Sequence, residues 1–387
     1  MQETKPFVIV GAGQCGLKAV ETLRQSGYEG DIVLIGDESQ PPYQRPPLSK
    51  AFLKGDLAED RLYLKADDFY QIHNVTTKFG VRALELNTDQ KSVRLSDSSH
   101  LEYEKLLIST GTRVRKIPLK GAELKGVFTL RTIEDVNALS AALKPDSKIG
   151  IIGAGYIGLE VAASLRLRGH AVTVIEAAPR VLARVMPPEM SVFFEKLHTD
   201  HGVDVRTNIG TKEIVGDGMV EAIVLADDSR IDCDIVLLAV GAEPVVELAK
   251  EAGLDIENGI AVDQSAKTSN DDVFAAGDCA SFFSLRYARS IRLESVQNAI
   301  DQGKIAAQAM LGQDVSYNPL PWFWSDQYDV KLQIAGLSQG FDRIETEGDI
   351  VANSFSVTYY IGDKPICVDA VNQPRAHMMA RRNLAAN

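Results

Sequence analysis

Short apolar runs alternate with polar helical stretches along most of the chain, and one such pattern occurs twice. Residues 7–38 and 149–177 each contain an apolar run, a Gly-x-Gly-x-x-Gly turn, a helical stretch and a second apolar run ending near an acid. This order predicts strand, turn, helix and strand, the start of a doubly wound parallel sheet. Because the copies lie too far apart for a solenoid repeat, they predict two nucleotide-binding domains.

Other apolar runs extend this prediction beyond the two copies. Strands are predicted at Lys105–Ser109, Ile235–Val240 and Val273–Ala276, each followed by a glycine turn, and a helix is predicted over 294–311. Short buried strands that end in turns are typical of parallel sheets.

The pattern changes after Pro319. Strands are predicted at Val330–Ala335 and Phe355–Ile361, and Gly362-Asp363-Lys364 predicts a hairpin turn into Pro365–Val371. The C-terminal part therefore predicts a small, mostly antiparallel domain.

The first glycine motif consists of Gly11, Gly13 and Gly16. In a dinucleotide-binding turn, the first glycine permits the tight turn, the second lets the backbone approach a pyrophosphate, and the third lets helix and strand pack closely. The helix N-terminus then binds phosphate through its amides and its dipole.

An acidic residue should follow the first motif and bind a ribose hydroxyl. Asp37 lies at about the expected distance, and Glu38 is a rival. When Gly27 is matched to Gly169 of the second copy, and the first copy is given two extra residues before its second apolar run, Gly36 takes the place of the second copy's acid. Asp37 is then displaced by one residue.

The second motif consists of Gly153, Gly155 and Gly158, and Glu176 ends its second strand. A carboxylate there accepts hydrogen bonds from a 2′-hydroxyl and repels a 2′-phosphate, which favours NAD over NADP. Arg180 and Arg184 follow. They either soften this preference or are solvated surface residues.

Two dinucleotide sites in one chain suggest that one holds FAD as a resident cofactor and the other admits a nicotinamide dinucleotide, so that hydride passes between stacked rings. The order of the motifs gives no physical ground for deciding which site is which.

Composition and charge exclude several classes of protein. The chain has 387 residues, 45% hydrophobic and 24% charged, and a net charge of −12. These values are ordinary for a globular protein and unfavourable for general binding of nucleic acid or anionic lipid. Four scattered cysteines without a CxxC pair predict no structural metal and a reducing compartment, so a cytoplasmic location is expected, with no membrane span.

Seven segments together carry a family resemblance. The chain resembles the FAD-dependent, NADH-dependent ferredoxin reductases that supply bacterial dioxygenases and cytochrome P450 systems, over essentially its whole length. The segments that carry it are PPYQRPPLSK (41–50), TGTR (110–113), LRT (130–132), GAGYIGLE (153–160), AAGDCA (275–280), RLESVQNA (292–299) and PWFWSDQY (321–328).

The resemblance implies an α/β fold with two Rossmann-like domains, as in glutathione-reductase-like FAD/NAD(P)-linked reductases, and a small α+β C-terminal domain. It implies a discontinuous FAD domain at 1–112 and 245–320, an NADH domain at 113–244 and a C-terminal interface domain at 321–387.

The resemblance also assigns the first motif to FAD and the second to NADH. For FAD it implies contacts from the backbone at Cys15, the ribose acid, the flavin, the ribityl chain and the pyrimidine end. The implied FAD residues are Gly11, Gly13, Cys15, Gly16, Asp37, Glu38, Arg45, Lys50, Ala83, Thr110, Gly111, Arg131, Asp278 and Val296. The implied NADH residues are Gly153, Gly155, Tyr156, Ile157, Gly158, Glu160, Glu176 and Gly241.

Three residues are implied to act in catalysis. By resemblance, Lys50 and Glu160 pair near the reactive edge of the flavin, where we expect them to orient the two rings and gain rate through positioning. The alternative is a purely structural ion pair. Trp324 is expected to line the route by which electrons leave towards the partner.

Electron transfer without a disulfide is expected. Disulfide reductases of this fold carry a cysteine pair after the first unit, whereas this chain has no cysteine between Cys15 and Cys233. Electrons should then leave directly from the flavin, which suits a one-electron iron–sulfur acceptor.

The expected partner is a small acidic ferredoxin of the two-iron, two-sulfur type. Because this chain is also acidic, docking requires a local basic patch. Its candidate residues are Arg113, Arg115, Lys116, Arg286, Arg289, Arg292, Arg381 and Arg382. The chain is expected to be a monomer or a weak homodimer.

Two alternatives remain open at this point. One is another reductase of the same fold, acting on rubredoxin, monodehydroascorbate, oxygen or peroxide. The other is an NADH-sensing protein resembling apoptosis-inducing factor, in which NADH mainly changes shape and assembly.

Overall fold

A computed structural model describes residues 5–386 of the chain, which form two compact units. The first unit comprises 5–44, Tyr63–Arg113 and Glu243–Pro321. The second comprises Arg45–Leu62, Val114–Ala242 and 322–386. Each unit is therefore assembled from three separate stretches of sequence.

The helices are short to medium in length and are numbered in chain order. They are α1 (Gln14–Gln25), α2 (Ala51–Lys54), α3 (Phe69–Ile72), α4 (Ile133–Ala142), α5 (Tyr156–Leu167), α6 (Pro188–Asp200), α7 (Glu247–Glu251), α8 (Val296–Met310) and α9 (Pro374–Ala385), with 3₁₀ turns at Pro46–Ser49 and Glu59–Arg61.

The strands are likewise numbered in chain order. They are β1 (Phe7–Val10), β2 (Ile32–Gly36), β3 (Val75–Phe79), β4 (Ala83–Asn87), β5 (Ser92–Leu95), β6 (His100–Glu102), β7 (Lys105–Ile108), β8 (Thr112–Val114), β9 (Val127–Phe128), β10 (Lys148–Ile152), β11 (Ala171–Ile175), β12 (Asp204–Arg206), β13 (Thr211–Val215), β14 (Ala222–Leu225), β15 (Arg230–Asp232), β16 (Ile235–Leu238), β17 (Ala242–Pro244), β18 (Ile256–Glu257), β19 (Gly259–Val262), β20 (Val273–Ala275), β21 (Ala280–Ser284), β22 (Arg289–Ile291), β23 (Trp322–Gln327), β24 (Val330–Gly336), β25 (Arg343–Asp349), β26 (Ser354–Ile361) and β27 (Lys364–Val371).

The first unit is built on a parallel sheet with strand order β20-β7-β1-β2-β3. Strands β1, β2 and β20 of this sheet contain only apolar residues and one glycine and are buried along their length, because both faces are covered. Along β1, Phe7 and Ile9 enter one hydrophobic cluster, while Val8 and Val10 enter the cluster on the other face. This arrangement explains why β1 shows no alternation of apolar and polar residues.

The second unit repeats this arrangement in its parallel sheet, with strand order β12-β11-β10-β16-β9. It also contains an antiparallel sheet with order β23-β24-β27-β26-β25, against which α9 packs. The predicted small antiparallel domain thus corresponds to this sheet and helix, within the second unit.

The observed elements agree with those predicted from apolar runs to within one or two residues at most ends. The strand predicted at Ile235–Val240 ends at Leu238, and the helix predicted over 294–311 spans Val296–Met310. Ser295 explains the start of this helix, since its side chain accepts a hydrogen bond from the Asn298 amide.

Two chemical expectations concern the whole chain. The four cysteines, all within residues 5–386, are buried and none of them forms a disulfide. Among the same residues, no helix is both long and apolar enough to cross a membrane.

Candidate active site

The first glycine turn has the geometry that a dinucleotide requires. Gly11 has a φ of +119°, and a Cβ there would lie 2.1 Å from the carbonyl oxygen of Ser109. A Cβ at Gly16 would lie 2.0 Å from the Gly11 carbonyl oxygen, whereas a Cβ at Gly13 would meet nothing within 4 Å. Close packing therefore requires glycine at positions 11 and 16. The open space at Gly13 fits a pyrophosphate at the N-terminus of α1.

The second glycine turn repeats this geometry. Gly153 has a φ of +109°, and a Cβ there would lie 2.4 Å from the Ala239 carbonyl oxygen. A Cβ at Gly158 would lie 2.1 Å from the Gly153 carbonyl oxygen, while a Cβ at Gly155 would again meet nothing within 4 Å. This turn likewise fits a dinucleotide, at the N-terminus of α5.

The two copies differ at the end of the second strand. Ile35 pairs with Val10 as Ile175 pairs with Ile152, so Gly36 holds the position that Glu176 holds in the second copy. A Cβ at Gly36 would lie 2.6 Å from the Cβ of Ala12. The close approach of β2 to the first turn therefore excludes a side chain at this point.

The acids after Gly36 lie beside the segment that leads into β4. The Asp37 carboxylate, 56% exposed, forms an ion pair with Arg82 at 3.0 Å. Glu38 accepts a hydrogen bond from the Tyr43 hydroxyl. Since Arg82 directly precedes Ala83, two residues assigned to FAD, Asp37 and Ala83, lie close together.

Glu176 is held against the second glycine turn. Its Oε2 accepts a hydrogen bond from the Ala154 amide, and its Oε1 accepts one from the Ala178 amide, both at 2.8 Å. Arg180 does not face this carboxylate as a free cation, because its guanidinium donates to the carbonyls of Ala183 and Met186.

The other arginine after Glu176 lies beside the turn at Gly241. The exposed Arg184 places its Nη2 atom 3.5 Å from where a Cβ on Gly241 would be. Of the two arginines considered from the sequence, only Arg184 therefore lies at an NADH-assigned turn.

Equivalent residues of α1 and α5 differ in exposure. Cys15 is 5% exposed, and its carbonyl oxygen would lie 2.6 Å from a Cβ on Gly303 of α8. Burial raises the pKa of the Cys15 thiol well above its usual value, which makes it unreactive. Ile157, at the same position of α5, is 46% exposed.

Thr110 and Gly111 form the turn that follows β7. The Thr110 hydroxyl donates to the carbonyl of Val245 at 2.7 Å, and Gly111 has a φ of +68°. Both residues thus shape a loop at the carboxyl edge of the parallel sheet, where ligands bind in folds of this type.

Asp278 follows β20 at the same edge. Gly277, before it, donates its amide to Oε1 of the buried Gln302 at 2.8 Å, and the Asp278 carbonyl accepts from Arg292 at 3.0 Å. Val296 is the first residue of α8, whose N-terminal amides suit a negative charge.

Arg45 and Arg131 lie together in the second unit. The Arg45 guanidinium donates to the Arg131 carbonyl at 2.8 Å, and the Arg131 amide donates to Asp135 at 2.8 Å. Asp135 also completes a capping box with Thr132 at the start of α4. The helix cap therefore fixes the loop that carries Arg131.

Lys50 and Glu160 form an ion pair in the second unit. Lys50 Nζ lies 2.6 Å from Glu160 Oε2, and the side chains are 18% and 2% exposed. Glu160 Oε2 also accepts from the Ser49 hydroxyl at 2.5 Å, and its Oε1 accepts from the Ser325 hydroxyl at 2.7 Å. Both carboxylate oxygens are thus satisfied although the group is buried, which meets the condition for keeping a charge there.

Trp324 lies on β23, on the opposite face of the sheet from Ser325. Its ring stacks on that of Trp322, with centroids 5.6 Å apart, and the Arg381 guanidinium lies 4.5 Å from the Trp322 ring centroid. Phe323, between them, points to the other face and contacts Tyr156 at 4.8 Å. The two tryptophans therefore lie on the side of the sheet that carries α9.

Two of the basic docking candidates are engaged elsewhere. The Arg292 side chain is 10% exposed and pairs with Glu294 at 2.7 Å, so it supports the Asp278 loop and is not available to a partner. Arg113 is paired with both Glu243 and Glu247 at 2.7 Å, which offsets its charge. The prediction for Arg292 is therefore corrected.

Several supporting residues have no motif of their own in the sequence. Ser49 and Ser325 donate to Glu160, Arg82 pairs with Asp37, and Gln302 accepts from Gly277. Ser49 and Ser325 lie in two of the segments that carry the family resemblance, 41–50 and 321–328, but these segments did not specify a partner.

The fold and these two turns define a two-dinucleotide oxidoreductase, and comparison with known proteins specifies its family. The model of the pyridine nucleotide-disulphide oxidoreductase family matches residues 5–303, and that of the reductase C-terminal family matches 322–387. The chain belongs to the FAD-dependent ferredoxin reductases of this family.

Named relatives support the assignment. The chain is 41% identical to rhodocoxin reductase of Rhodococcus erythropolis over 98% of this chain and 89% of that protein. It is 40% identical to putidaredoxin reductase of Pseudomonas putida, over 97% of this chain and 90% of that protein. The crystal structure of the covalent putidaredoxin reductase–putidaredoxin complex matches with a TM-score of 0.96 and 38% identity, over 99% of this chain and 93% of that chain.

Family membership confirms the predicted fold class and cofactors. The protein is an FAD-dependent oxidoreductase that uses NAD(H) and passes electrons to a ferredoxin or a similar acceptor. The residue roles and the three-domain division remain predictions.

Proposed function

We propose that the protein oxidises NADH and passes single electrons to a small acidic two-iron, two-sulfur ferredoxin, which supplies an oxygenase. Bound FAD supplies the redox chemistry, since a flavin accepts a hydride and releases electrons one at a time. The residues of this chain bind the two dinucleotides, orient them and present a docking surface.

The observation that carries this proposal is the difference in solvent exposure between equivalent residues at the two glycine turns. At the first, Cys15 is buried against α8, as suits a cofactor that stays bound. At the second, Ile157 is 46% exposed, as suits a dinucleotide that enters and leaves at each turnover. This difference supports FAD at the first turn and NADH at the second.

The position of Glu176 supports a preference for NADH over NADPH. Two backbone amides, those of Ala154 and Ala178, hold the carboxylate beside the second turn. A fixed carboxylate accepts hydrogen bonds from a ribose diol and repels a 2′-phosphate. Arg184 is exposed and lies at Gly241, and its charge weakens this repulsion at most in part.

The Lys50–Glu160 pair supports a positioning role. A buried ion pair contributes little net stability, because desolvation offsets most of the attraction. Here three donors converge on one carboxylate and fix the ammonium group of Lys50. We propose that this fixed group orients the flavin and the nicotinamide, which accelerates transfer by preventing unproductive geometries.

The α9 side of the C-terminal sheet is the proposed docking surface. Arg375, Arg381 and Arg382 are exposed on α9, and the Arg381 guanidinium lies over the ring of Trp322, which stacks on Trp324. Cations beside an aromatic pair suit an acidic protein and keep charge near the route proposed for the electrons.

An anaerobic titration of the purified yellow protein tests the first half of the reaction. NADH should bleach the flavin absorbance rapidly at one equivalent, and NADPH should do so much more slowly. If NADH leaves the flavin oxidised, the proposal fails.

The second half of the reaction is tested by comparing the rates at which different electron acceptors are reduced. With NADH in excess, reduction of a two-iron, two-sulfur ferredoxin should exceed reduction of rubredoxin or oxygen at equal concentration. A higher rate with rubredoxin would favour a rubredoxin reductase. Slow turnover with every acceptor, together with an NADH-dependent change of oligomer, would favour a sensor.

A further inference from the structure

A row of buried polar side chains leads away from Glu160 on the side opposite Lys50. Ser325 Oγ lies 2.7 Å from Glu160 Oε1, Gln327 Nε2 lies 3.2 Å from Ser325 Oγ, and Gln327 Oε1 lies 2.8 Å from His198 Nε2. The row ends at Tyr328, whose hydroxyl lies 3.3 Å from His198 Nδ1.

The inner members of this row are closed to solvent. His198 is 0% exposed, Gln327 and Ser325 are each 1% exposed, and Glu160 is 2% exposed. Polar groups this deeply buried cost free energy unless they are hydrogen-bonded, so each member depends on its neighbours. Ser325 and Gln327 alternate with Trp324 and Asp326 along β23, which places them on the same face of the sheet.

The hydrogen bonds in the row have one direction. Burial lowers the pKa of His198 to about 4, so the imidazole is neutral at pH 7 and carries one N–H. That hydrogen is on Nε2, because Nδ1 accepts from the Tyr328 hydroxyl and Gln327 Oε1 can only accept. The Gln327 amide then donates to Ser325, which leaves the Ser325 hydroxyl to donate to Glu160.

We propose that His198 and Gln327 act through Ser325 as positioning residues that hold the Glu160 carboxylate, and through it the ammonium group of Lys50. This inference rests on the proposed role of the Lys50–Glu160 pair. His198 fixes which end of the Gln327 amide faces Ser325. Without that constraint the amide can rotate, and the Ser325 hydroxyl can turn away from Glu160.

The alternative is that the row only packs α6 against the C-terminal sheet. A packing role predicts that each substitution lowers thermal stability without changing a rate that depends on Glu160. A positioning role predicts that the effect passes through Glu160 and disappears when the carboxylate is removed. A double-mutant cycle separates the two.

The experiment measures the rate of flavin reduction by NADH in stopped flow, using holoenzyme and recording FAD content for every variant. Ser325→Ala should slow reduction about tenfold, as expected for a lost hydrogen bond to a charged group. Ser325→Thr should restore most of the lost rate. Ser356→Ala, a buried serine of β26 in the same sheet, is the matched control and should change the rate less than twofold.

The cycle is completed in a Glu160→Gln background. There, Ser325→Ala should change the rate less than twofold. His198→Leu should slow the parent enzyme several-fold, and His198→Gln, which keeps a donor near the Nε2 position, should recover much of that loss. A full effect of Ser325→Ala in the Glu160→Gln background would overturn the inference, as would equal rates for Ser325→Ala and Ser356→Ala.

A second readout does not depend on turnover. In protein labelled with ¹⁵N-histidine, His198 should show the neutral Nε2–H tautomer at pH 6 to 8, and a Nδ1–H tautomer would overturn the inference. Lys50→Ala distinguishes failure of the positioning row from failure of the proposed role of the Lys50–Glu160 pair. If Lys50→Ala slows reduction but Ser325→Ala does not, only the positioning row fails; if Lys50→Ala has no effect, both fail.

Discussion

The two glycine turns share a backbone path, but the residues that follow them meet different surroundings. Cys15 in α1 is buried against α8, whereas its counterpart Ile157 in α5 is 46% exposed. Three residues further on, Lys18 is 24% exposed and pairs with Glu21, whereas Glu160 is 2% exposed and pairs with Lys50. The same supersecondary unit is thus sealed in one copy and open and charged in the other.

This difference shows that the motif specifies phosphate binding and little else. The glycines are needed for backbone geometry in both copies. We propose that the elements packed around each turn decide whether its dinucleotide is resident or exchanged. In the first unit that element is α8, and in the second unit the C-terminal sheet contacts α5 through Phe323 and Ser325.

The largest expected effect concerns Lys50, the ion-pair partner of Glu160 in the second copy. Lys50→Ala should slow flavin reduction by NADH about 100-fold, because loss of a positioning group misaligns the reacting rings. FAD content should fall far less. The measurement is stopped-flow absorbance under anaerobic conditions.

The control is Lys18, which holds in the first copy the position that Glu160 holds in the second. Lys18→Ala removes a partly buried ion pair and should change the rate less than twofold, because the partner of Lys18 is Glu21 and not a residue of the Lys50–Glu160 pair. Equal rates in Lys50→Ala and the parent enzyme would remove the contrast between the two helices.

The sealed turn should be sensitive to volume, and the open one should not. Cys15→Leu adds bulk next to Gly277 and Gly303, and should lower the free energy of unfolding by about 2 kcal/mol through overpacking. Bound FAD should fall as well. Thermal unfolding and the ratio of flavin to protein absorbance measure both.

Ile157→Leu provides the comparison in the open turn. At a site this exposed, the free energy of unfolding should change by less than about 0.5 kcal/mol. If Cys15→Leu lowered the free energy of unfolding no more than Ile157→Leu does, the first turn would not be more tightly packed than the second.

The role of Glu176, which directly follows β11, is tested through the preference for NADH over NADPH. Glu176→Ala should raise the ratio of kcat/KM for NADPH to that for NADH about tenfold, because the carboxylate no longer repels a 2′-phosphate. An unchanged ratio would contradict this role. Glu189→Ala, on the exposed side of α6 in the same unit, serves as a control for the loss of one negative charge.

Much of the fold could be predicted because the apolar runs of parallel strands are local signals. Both glycine motifs lie between strand and helix as predicted, and the strand pairing makes Gly36 the equivalent of Glu176, with two more residues between Gly27 and Gly36 than between Gly169 and Glu176. Near the C-terminus, β24, β26 and β27 were predicted from their apolar runs and from the turn at Gly362, whereas β23 and β25 of the same sheet were not predicted.

The supports of the site could not be predicted in the same way. Ser49 and Ser325 lie 111 and 165 residues from Glu160 in sequence, and no periodicity links residues so far apart. Arg292 was assigned to a docking surface from its charge, because its burial depends on the Asp278 loop folding over it. The family resemblance gave residue roles but not the contacts that enforce them.

The smallest effect is expected at the end of β2. There the acid is Asp37, one residue after Gly36, which holds the position equivalent to Glu176. Arg82→Ala removes the exposed partner of Asp37 and should raise the FAD dissociation rate about twofold to threefold, since exposed ion pairs contribute little. The effect should shrink at high salt, because screening already weakens the pair. Arg94→Ala, which breaks another exposed pair, between Arg94 on β5 and Glu85 on β4, should leave the dissociation rate unchanged. Equal changes in both variants would mean that Arg82 acts on the general charge of the unit; a change confined to Arg82→Ala would mean that a displaced acid needs an orienting cation, which Glu176 obtains from backbone amides instead.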